Sequence, residues 1–468
     1  MTPEPKVRSP DSPLAGARLA LTLLLLINVF NYIDRYVLAA VIDNIQESFF
    51  PKGQSGAVSP ALSHIQGWCQ GRLGFKPELA LFGVLGMAFM AVYMVGAPIF
   101  GRLAERRSRW MLVGVGVILW SLASGASGLA GGFIGMLLTR CLVGVGEAAY
   151  GPVAPTLLSD LYPVKQRGQV LARFYLAIPV GTAVGYIVGA WVAGSNLGPW
   201  MGQTVGIHAE SWRWAFYLVV APGLVLGICS LFMKEPRRGQ ADLDLGVAAE
   251  PRKVQWRDYS TLLRTPSFVL CTLGMTAMTF AMGGIAFWMP YYLKHKPSAP
   301  EYVTEIFGAL VVVAGLSGTL LGGLAGDRLR ARIPGSYFLV SGIAMLVGFP
   351  FMLLTLHAAF PGVWVWVWLF VACFCLFFNT GPTNTILANV SPPSIRAAGF
   401  ALNILVIHAL GDVLSPVVIG ILGDRYDMTF AFSVVGGTFI LAAIFWFAGM
   451  RFLARDTERA PLRLQLPA

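Results

Sequence analysis

The chain has 468 residues, of which 56% are apolar and 12% charged, and its 34 Lys and Arg residues outnumber its 23 Asp and Glu residues. Soluble globular domains carry about 25% charged residues, so this composition excludes a disordered chain, a nucleic-acid-binding domain and an ordinary cytosolic enzyme. The apolar residues form long runs separated by short charged links, which predicts an integral membrane protein.

Twelve apolar runs are long enough to cross a membrane as helices, which need about 20 residues each. The first run is too long for the apolar region of a signal peptide, so we expect it to stay as a transmembrane helix. The predicted helices, in chain order, are 17–45, 79–103, 110–130, 133–158, 167–194, 213–233, 267–293, 303–326, 335–356, 362–390, 395–422 and 429–452.

The only long charged stretch, 234–266, divides these helices into six and six. Matched landmarks repeat in the two halves: residues 101–106 (GRLAER) return as 323–328 (GLAGDR), and residues 163–167 (PVKQR) return as 392–396 (PPSIR). Such parallel repeats are typical of transporters whose substrate site lies between the halves. The sequence therefore predicts an all-α membrane protein with two pseudo-symmetric six-helix bundles, 1–233 and 267–468, joined by a cytoplasmic linker, 234–266.

The basic residues predict the orientation in the membrane. If the N-terminus is cytoplasmic, 24 of the 34 Lys and Arg residues fall on the cytoplasmic side and seven on the other side. This excess requires an even number of spans, with both termini in the cytoplasm. The net charge of +11 is then explained by topology and says little about an anionic ligand.

The first and fourth predicted helices carry four charged residues in their interiors, where each costs about 2.5–3.5 kcal/mol and normally faces a cavity or a partner. They are Asp34 and Arg35 in the first helix and Arg140 and Glu147 in the fourth. Arg140 and Glu147 are two helical turns apart, so each needs a partner on another helix. We expect these residues, the four-charge cluster, to join the two helices. The cluster can act as a protonation switch or as a static packing network.

The second half offers polar candidates of its own. His408 and Asp412 share a helix face and can form either a proton relay or a satisfied hydrogen-bonded pair. We expect a wide cavity with a charged end at the four-charge cluster and a remainder lined by aromatic residues such as Phe287, Phe377 and Phe378. The candidate substrate-binding residues are Asn31, Tyr150, Tyr175, Trp288, Asn379, Thr380, Asn384, His408 and Asp412.

Residues 101–109 (GRLAERRSR) resemble the loop motif between helices 2 and 3 of the major facilitator superfamily, and 323–328 lie where that superfamily repeats it. The resemblance implies that these charges tie helix ends together on the cytoplasmic side when the cavity opens outward. Glu105 stands where Asp is usual, so this contact can be looser here. The residues of this predicted latch are Glu105, Arg106, Arg109, Asp327 and Arg328.

A narrower resemblance lies in the N-terminal half. Residues 31–35 (NYIDR), 144–148 (GVGEA), 154–156 (APT), 174–181 (FYLAIPVG) and 185–189 (GYIVG) are similar to the Spinster family. That resemblance implies a substrate among lysolipids and sphingosine-phosphate-type lipids.

We therefore expect a secondary transporter that moves a lysophospholipid or sphingosine-phosphate-like lipid by alternating access. The alternative is a proton-driven exporter of drugs or small organic anions on the same fold. A lipid enzyme would need a nucleophile or metal cluster, and the sequence contains no such motif. A receptor or scaffold has no need of two equivalent halves. We expect no cofactor, a proton gradient as energy source, no nucleic-acid partner, a monomer, and a bacterial inner membrane as the location.

Overall fold

The computed structural model describes residues 13–50, 60–206, 208–237, 255–392, 395–460 and 463, and the regular elements of these residues are helical. Most side chains of the helices long enough to cross the membrane are apolar, because lipid or another helix covers most of their faces. Residues 238–254 of the predicted linker lie outside the described residues, so the boundaries of the linker and of the bundles stay a prediction.

The first half contains eleven helices in its described part. They are α1 (Ala17–Ala40), α2 (Ile42–Phe49), α3 (Pro60–Leu73), α4 (Leu79–Ala104), α5 (Arg109–Leu129), α6 (Phe133–Ala148), α7 (Ala154–Leu161), α8 (Val164–Tyr175), α9 (Ala177–Gly194), α10 (Leu197–Val205) and α11 (Ser211–Leu231).

The described part of the second half begins with a short helix before its first span. Its helices are α12 (Trp256–Leu263), α13 (Pro266–Lys294), α14 (Val303–Arg330), α15 (Ser336–His357), α16 (Trp364–Phe378), α17 (Thr380–Val390), α18 (Arg396–Ile407), α19 (Ser415–Arg425) and α20 (Met428–Arg459); a π-helical turn, His408–Asp412, connects α18 to α19.

Eleven helical segments in the described residues are long and apolar enough to cross a membrane. The predicted span 133–158 is missing from them because it is divided into α6 and α7. Pro152 lies in the break, and a proline removes a backbone N–H and clashes with the carbonyl four residues earlier. With this broken helix counted, the architecture matches the predicted twelve-helix, two-bundle fold.

We call the membrane face where α1 begins and α20 ends the terminal face. The two halves meet at the other membrane face, which we call the opposite face. At the opposite face, the backbone N–H groups of Leu79 and Ala80 donate to the Asp424 carboxylate at 2.9 and 2.8 Å. The Lys294 ammonium lies 3.4 Å from the Asp43 carboxylate. These contacts hold the opposite face closed, because each joins a residue of one half to a residue of the other.

Gly83 permits the close approach of α4 to α19 at this closure. A Cβ atom at this position would lie 2.8 Å from the Val417 Cα and still closer to the Pro416 carbonyl. These are backbone atoms, which cannot shift to relieve a clash as the end of a flexible side chain can. We expect Gly83→Ala to shift the protein toward the state that is open at the opposite face. Spin-label distances across the opposite face should lengthen, whereas Gly437→Ala, where nothing lies within 4 Å of the new Cβ, should leave them unchanged.

The residues of the latch lie at the terminal face. Arg109 contacts Asp160 at 2.5 Å and Glu235 at 2.7 Å, both within or next to the first bundle. The Tyr337 hydroxyl donates to Asp327 at 2.7 Å within the second bundle. Both copies of the motif therefore hold contacts near their own bundle in this conformation, and the contact between halves implied by the family resemblance stays a prediction for the other state.

That prediction has a direct test. Glu105→Ala and Asp327→Ala should each disfavour the state closed at the terminal face, because an exposed ionic contact contributes about 0.2–1 kcal/mol. Spin labels on the terminal-face ends of α4 and α14 should then report longer distances. The matched control is Glu301→Ala, an exposed carboxylate at the opposite end of the bundle. Unchanged distances in both variants would show that the latch plays no part in alternation.

Candidate functional site

A cavity of about 430 Å³ lies between the two halves, with walls from both. Its polar lining includes Arg35 and Arg140 in the first half and Thr380, Thr383, Asn384, His408 and Asp412 in the second. Its apolar lining includes Phe89, Met90, Met275, Met278, Met282 and Phe287. The cavity can therefore receive a charged group and an apolar group at the same time.

An ion pair forms the centre of the charged end. The Arg35 guanidinium on α1 contacts a single oxygen of Glu147 on α6 at 2.7 Å through Nε and at 2.6 Å through a terminal nitrogen. The Arg35 side chain keeps 17% of its surface exposed, whereas Glu147 is fully buried. The arginine thus faces the cavity, and its carboxylate partner lies behind it in the bundle.

Three aromatic rings surround the Arg35 guanidinium. Its central carbon lies 4.9 Å from the ring centre of Tyr32, 5.0 Å from that of Phe89 and 5.3 Å from that of Tyr93. Ring faces attract cations, and in a water-poor site this attraction reaches about 2 kcal/mol. The rings therefore help Glu147 to hold the arginine at the cavity wall.

The other two members of the four-charge cluster, Asp34 and Arg140, each form a hydrogen bond with a different serine of α5. The Ser124 hydroxyl donates to the Asp34 carboxylate at 2.9 Å, and Arg140 donates to the Ser127 hydroxyl at 2.6 Å. Arg140 also acts electrostatically on Asp34 without a direct ion pair. The structure thus brings the four predicted charges together as one direct pair and one looser pair.

Two buried polar atoms beside the ion pair are without a hydrogen-bond partner in the described structure. They are the second carboxylate oxygen of Glu147, Oε1, and the side-chain nitrogen of Asn31, which lies next to that glutamate. Buried polar atoms normally have a partner. The Asn31 amide nitrogen is a donor and the Glu147 Oε1 atom is an acceptor, so the two groups complement each other.

The second half contributes a pair on the facing wall. The His408 Nδ1 atom lies 2.9 Å from both oxygens of Asp412, and both side chains reach the cavity. Thr380 and Asn384 also line the cavity, and the Asn384 amide donates to the Thr380 carbonyl at 2.7 Å. The π-helical turn His408–Asp412 carries the pair, and π turns are common at functional sites.

Four other candidate residues stand outside the cavity lining. The Tyr150 hydroxyl donates to the Leu24 carbonyl, and the Trp288 indole donates to the Pro416 carbonyl. The Asn379 amide donates to the Cys375 carbonyl, one helical turn earlier. Tyr175, 47% exposed, packs against Phe174. In this conformation these side chains support helices, and a role in binding stays a prediction.

Of the three phenylalanines in the second half that we expected to line the cavity, one does so in this structure. Phe287 lines the cavity, whereas Phe377 and Phe378 pack closely against glycines of α14. In the described part of the chain, no group of three His, Cys, Asp or Glu side chains is arranged to hold a metal ion.

Sequence reasoning missed the residues that support the charges. Ser124 and Ser127 recur with a spacing of three in an apolar helix, which places them on one face, and this spacing could have identified them. Tyr32 and Tyr93 surround Arg35 from two different helices. A single sequence carries no signal that brings such distant positions together.

The looser pair of the cluster predicts unequal effects on stability. Arg140→Ala leaves the Asp34 carboxylate buried without its cation, and removing one partner of a buried pair costs about 3 kcal/mol or more. Asp34→Asn keeps an acceptor for Ser124, and Arg140 keeps the nearby Glu147 carboxylate as a counter-charge, so it should cost much less. Thermal unfolding in detergent should show the larger decrease in Tm for Arg140→Ala. Equal melting temperatures would show that Arg140 does not stabilise Asp34.

Comparisons with known proteins agree with this architecture. The family model of the Major Facilitator Superfamily matches residues 24–411. Human protein spinster homolog 1 is 34% identical over 426 residues, which cover 87% of this chain and 73% of that protein. Protein spinster homolog 3 of Danio rerio is 32% identical over 477 residues, which cover 95% of this chain and 87% of that protein.

Solved structures share the fold. A bacterial homolog of the human lysosomal transporter Spinster, crystallised in an inward-facing and unoccupied conformation, matches with a TM-score of 0.78 at 20% identity, covering 95% of this chain and 99% of that chain. A D-xylose–proton symporter matches with a TM-score of 0.70 at 16% identity, covering 93% and 98% of the two chains.

Proposed function

This chain belongs to the major facilitator superfamily and to its Spinster family, and from that premise we propose that it moves an amphiphilic lipid by proton-coupled transport. It is a multi-pass membrane transporter and not an enzyme. The proposed substrate is a lysophospholipid or a sphingosine-phosphate-like lipid. The observation that carries the proposal is the division of the cavity into a cationic end at Arg35 and Arg140 and an apolar wall.

An amphiphile matches both parts of this cavity. An anionic headgroup would bind at the Arg35 guanidinium, because charge-assisted hydrogen bonds are about twice as strong as neutral ones. An acyl chain would lie along Met275, Met278 and Met282, whose flexible thioethers adapt to irregular apolar shapes. A small organic anion would leave this apolar wall uncovered.

Competition for Arg35 would couple transport to protons. While Glu147 is ionised, it neutralises Arg35 and a headgroup has to displace it. When Glu147 takes a proton, Arg35 becomes free for the anionic headgroup. Loss of that proton restores the ion pair and expels the lipid. Asp34, buried beside Arg140, provides a second carboxylate that can take a proton.

The same proposal assigns sides to the membrane. The excess of basic residues supports a cytoplasmic location for the terminal face and both termini. Closure of the opposite face then makes this conformation the inward-facing one. The protein would act as a monomer, since one chain supplies both walls of the cavity. Its proposed location is a bacterial plasma membrane.

Reconstituted protein tests the coupling. Proteoliposomes should move labelled lysophospholipid faster under a proton gradient, and Glu147→Gln or Asp34→Asn should abolish the dependence on pH while the protein remains monodisperse. The matched control is Glu458→Gln, an exposed carboxylate at the end of α20, which should transport as the unmodified protein does.

Two outcomes would overturn parts of this proposal. Equal pH dependence in Asp34→Asn and in the unmodified protein would leave Asp34 a structural residue. Transport of small organic anions or drugs with no transport of any lysolipid would replace the lipid substrate with the alternative class.

A further inference from the structure

Helix α13 lacks one of its own backbone hydrogen bonds near the opposite face. Pro290 lies inside this helix, one turn before the helix ends at Lys294. A proline has no N–H group, so the carbonyl of Ala286, four residues earlier, loses the donor that a helix normally provides. The last turn of α13 is therefore joined to the rest of the helix less firmly than in an uninterrupted helix.

A tyrosine of the other half supplies the missing donor. The Tyr186 hydroxyl on α9 donates to the Ala286 carbonyl on α13. Inside a membrane, a carbonyl that a proline has freed needs such a partner from a neighbouring side chain or from water. Because α9 belongs to the first half and α13 to the second, this hydrogen bond joins the halves where α13 is weakest.

The Tyr186 side chain is held in place by rings from both halves. It is fully buried, and its ring centre lies 5.1 Å from that of Tyr36 on α1 and 5.2 Å from that of Phe307 on α14. A Cβ atom at Gly308 of α14 would lie 3.1 Å from the Tyr186 Cβ, so α9 and α14 pack closely here. The hydroxyl group is thus positioned for Ala286 by packing.

The turn that follows Pro290 carries a contact of the closed opposite face. Lys294 lies 3.4 Å from one carboxylate oxygen of Asp43 in the first half, and the His295 Nδ1 atom lies 3.6 Å from the other oxygen. A hydrogen bond from the first half at the base of this turn keeps these groups within reach of Asp43. Ala286 also lines the cavity, so the bond lies at the cavity wall.

We propose that Tyr186 is a positioning residue for closure of the opposite face, because its hydroxyl replaces the helical hydrogen bond that Pro290 removes and holds the last turn of α13 against the first half. When the opposite face opens, the halves separate here and the Ala286 carbonyl loses this donor. The bond therefore favours the closed state. This inference does not depend on the substrate, so it can fail while the proposed function stands.

The test is a cycle of substitutions at Tyr186 and Pro290. Tyr186→Phe removes the hydroxyl and keeps the ring, so the population that is open at the opposite face should rise about fivefold, the effect of one hydrogen bond. Pro290→Ala returns an N–H group to the Ala286 carbonyl. In that background, Tyr186→Phe should change the same population by less than about twofold.

Spin-label distances across the opposite face measure this population in the purified protein. The labels are attached through Gln203→Cys in α10 and Glu301→Cys before α14, which are exposed positions in different halves. Serine replaces the native cysteines that are not buried, Cys69, Cys141 and Cys229.

Tyr217→Phe is the matched control. The Tyr217 hydroxyl also donates to a backbone carbonyl, that of Gly128 at 2.9 Å, but both residues belong to the first half. This variant should lower Tm and leave the distances unchanged, because no contact between the halves is lost. The comparison separates a positioning role of Tyr186 from a general loss of stability.

Three results would overturn the inference. Unchanged distances in Tyr186→Phe would show that the hydroxyl does not hold the opposite face closed. An equal shift by Tyr186→Phe with and without Pro290→Ala would show that the hydroxyl acts elsewhere than on the freed Ala286 carbonyl. An equal shift in Tyr217→Phe would assign the effect to general destabilisation.

Discussion

The ion pair between Arg35 and Glu147 is the interaction on which the rest of the site depends. A lone charge at this depth would cost several kcal/mol, so each partner requires the other or a substitute. The pair also fixes α1 against α6. Aromatic rings surround Arg35, and serine hydroxyls contact the remaining charges. Anything that binds Arg35 therefore changes the electrostatic energy of Glu147, and the proposed coupling of substrate to protons rests on this link.

Much of the fold could be predicted because lipid imposes a simple pattern. Long apolar runs have to be helices, and their number and the positions of basic residues follow from the sequence. The break at Pro152 could have been predicted from the same rules, since proline disrupts a helix interior. The π-helical turn at His408–Asp412 could not, because it results from packing between α13 and its neighbours.

The site was predictable only where charge stands out in an apolar run. Asp34, Arg35, Arg140 and Glu147 were found because their cost in lipid demands an explanation. The rotation of each helix about its axis decides that Arg35 pairs with Glu147. It also decides that Ser124 contacts Asp34 and that Ser127 contacts Arg140. A single sequence does not reveal that rotation. Tyr150 and Trp288 each combine an aromatic ring with a hydrogen-bond donor, as ligand-binding residues often do. Here both donate to backbone carbonyl groups, because such side chains also stabilise helix packing.

The methionine residues of α13 that line the cavity affect which substrates it can accept. Met275, Met278 and Met282 form a surface that is apolar but not rigid, since an unbranched thioether has many rotamers of similar energy. For the proposed lipid substrate, such a wall would accept hydrocarbon tails of different length and saturation at similar free energy. Recognition would then depend on the rigid charged groups of the cavity, and one transporter would serve a membrane whose fatty-acid composition changes with temperature.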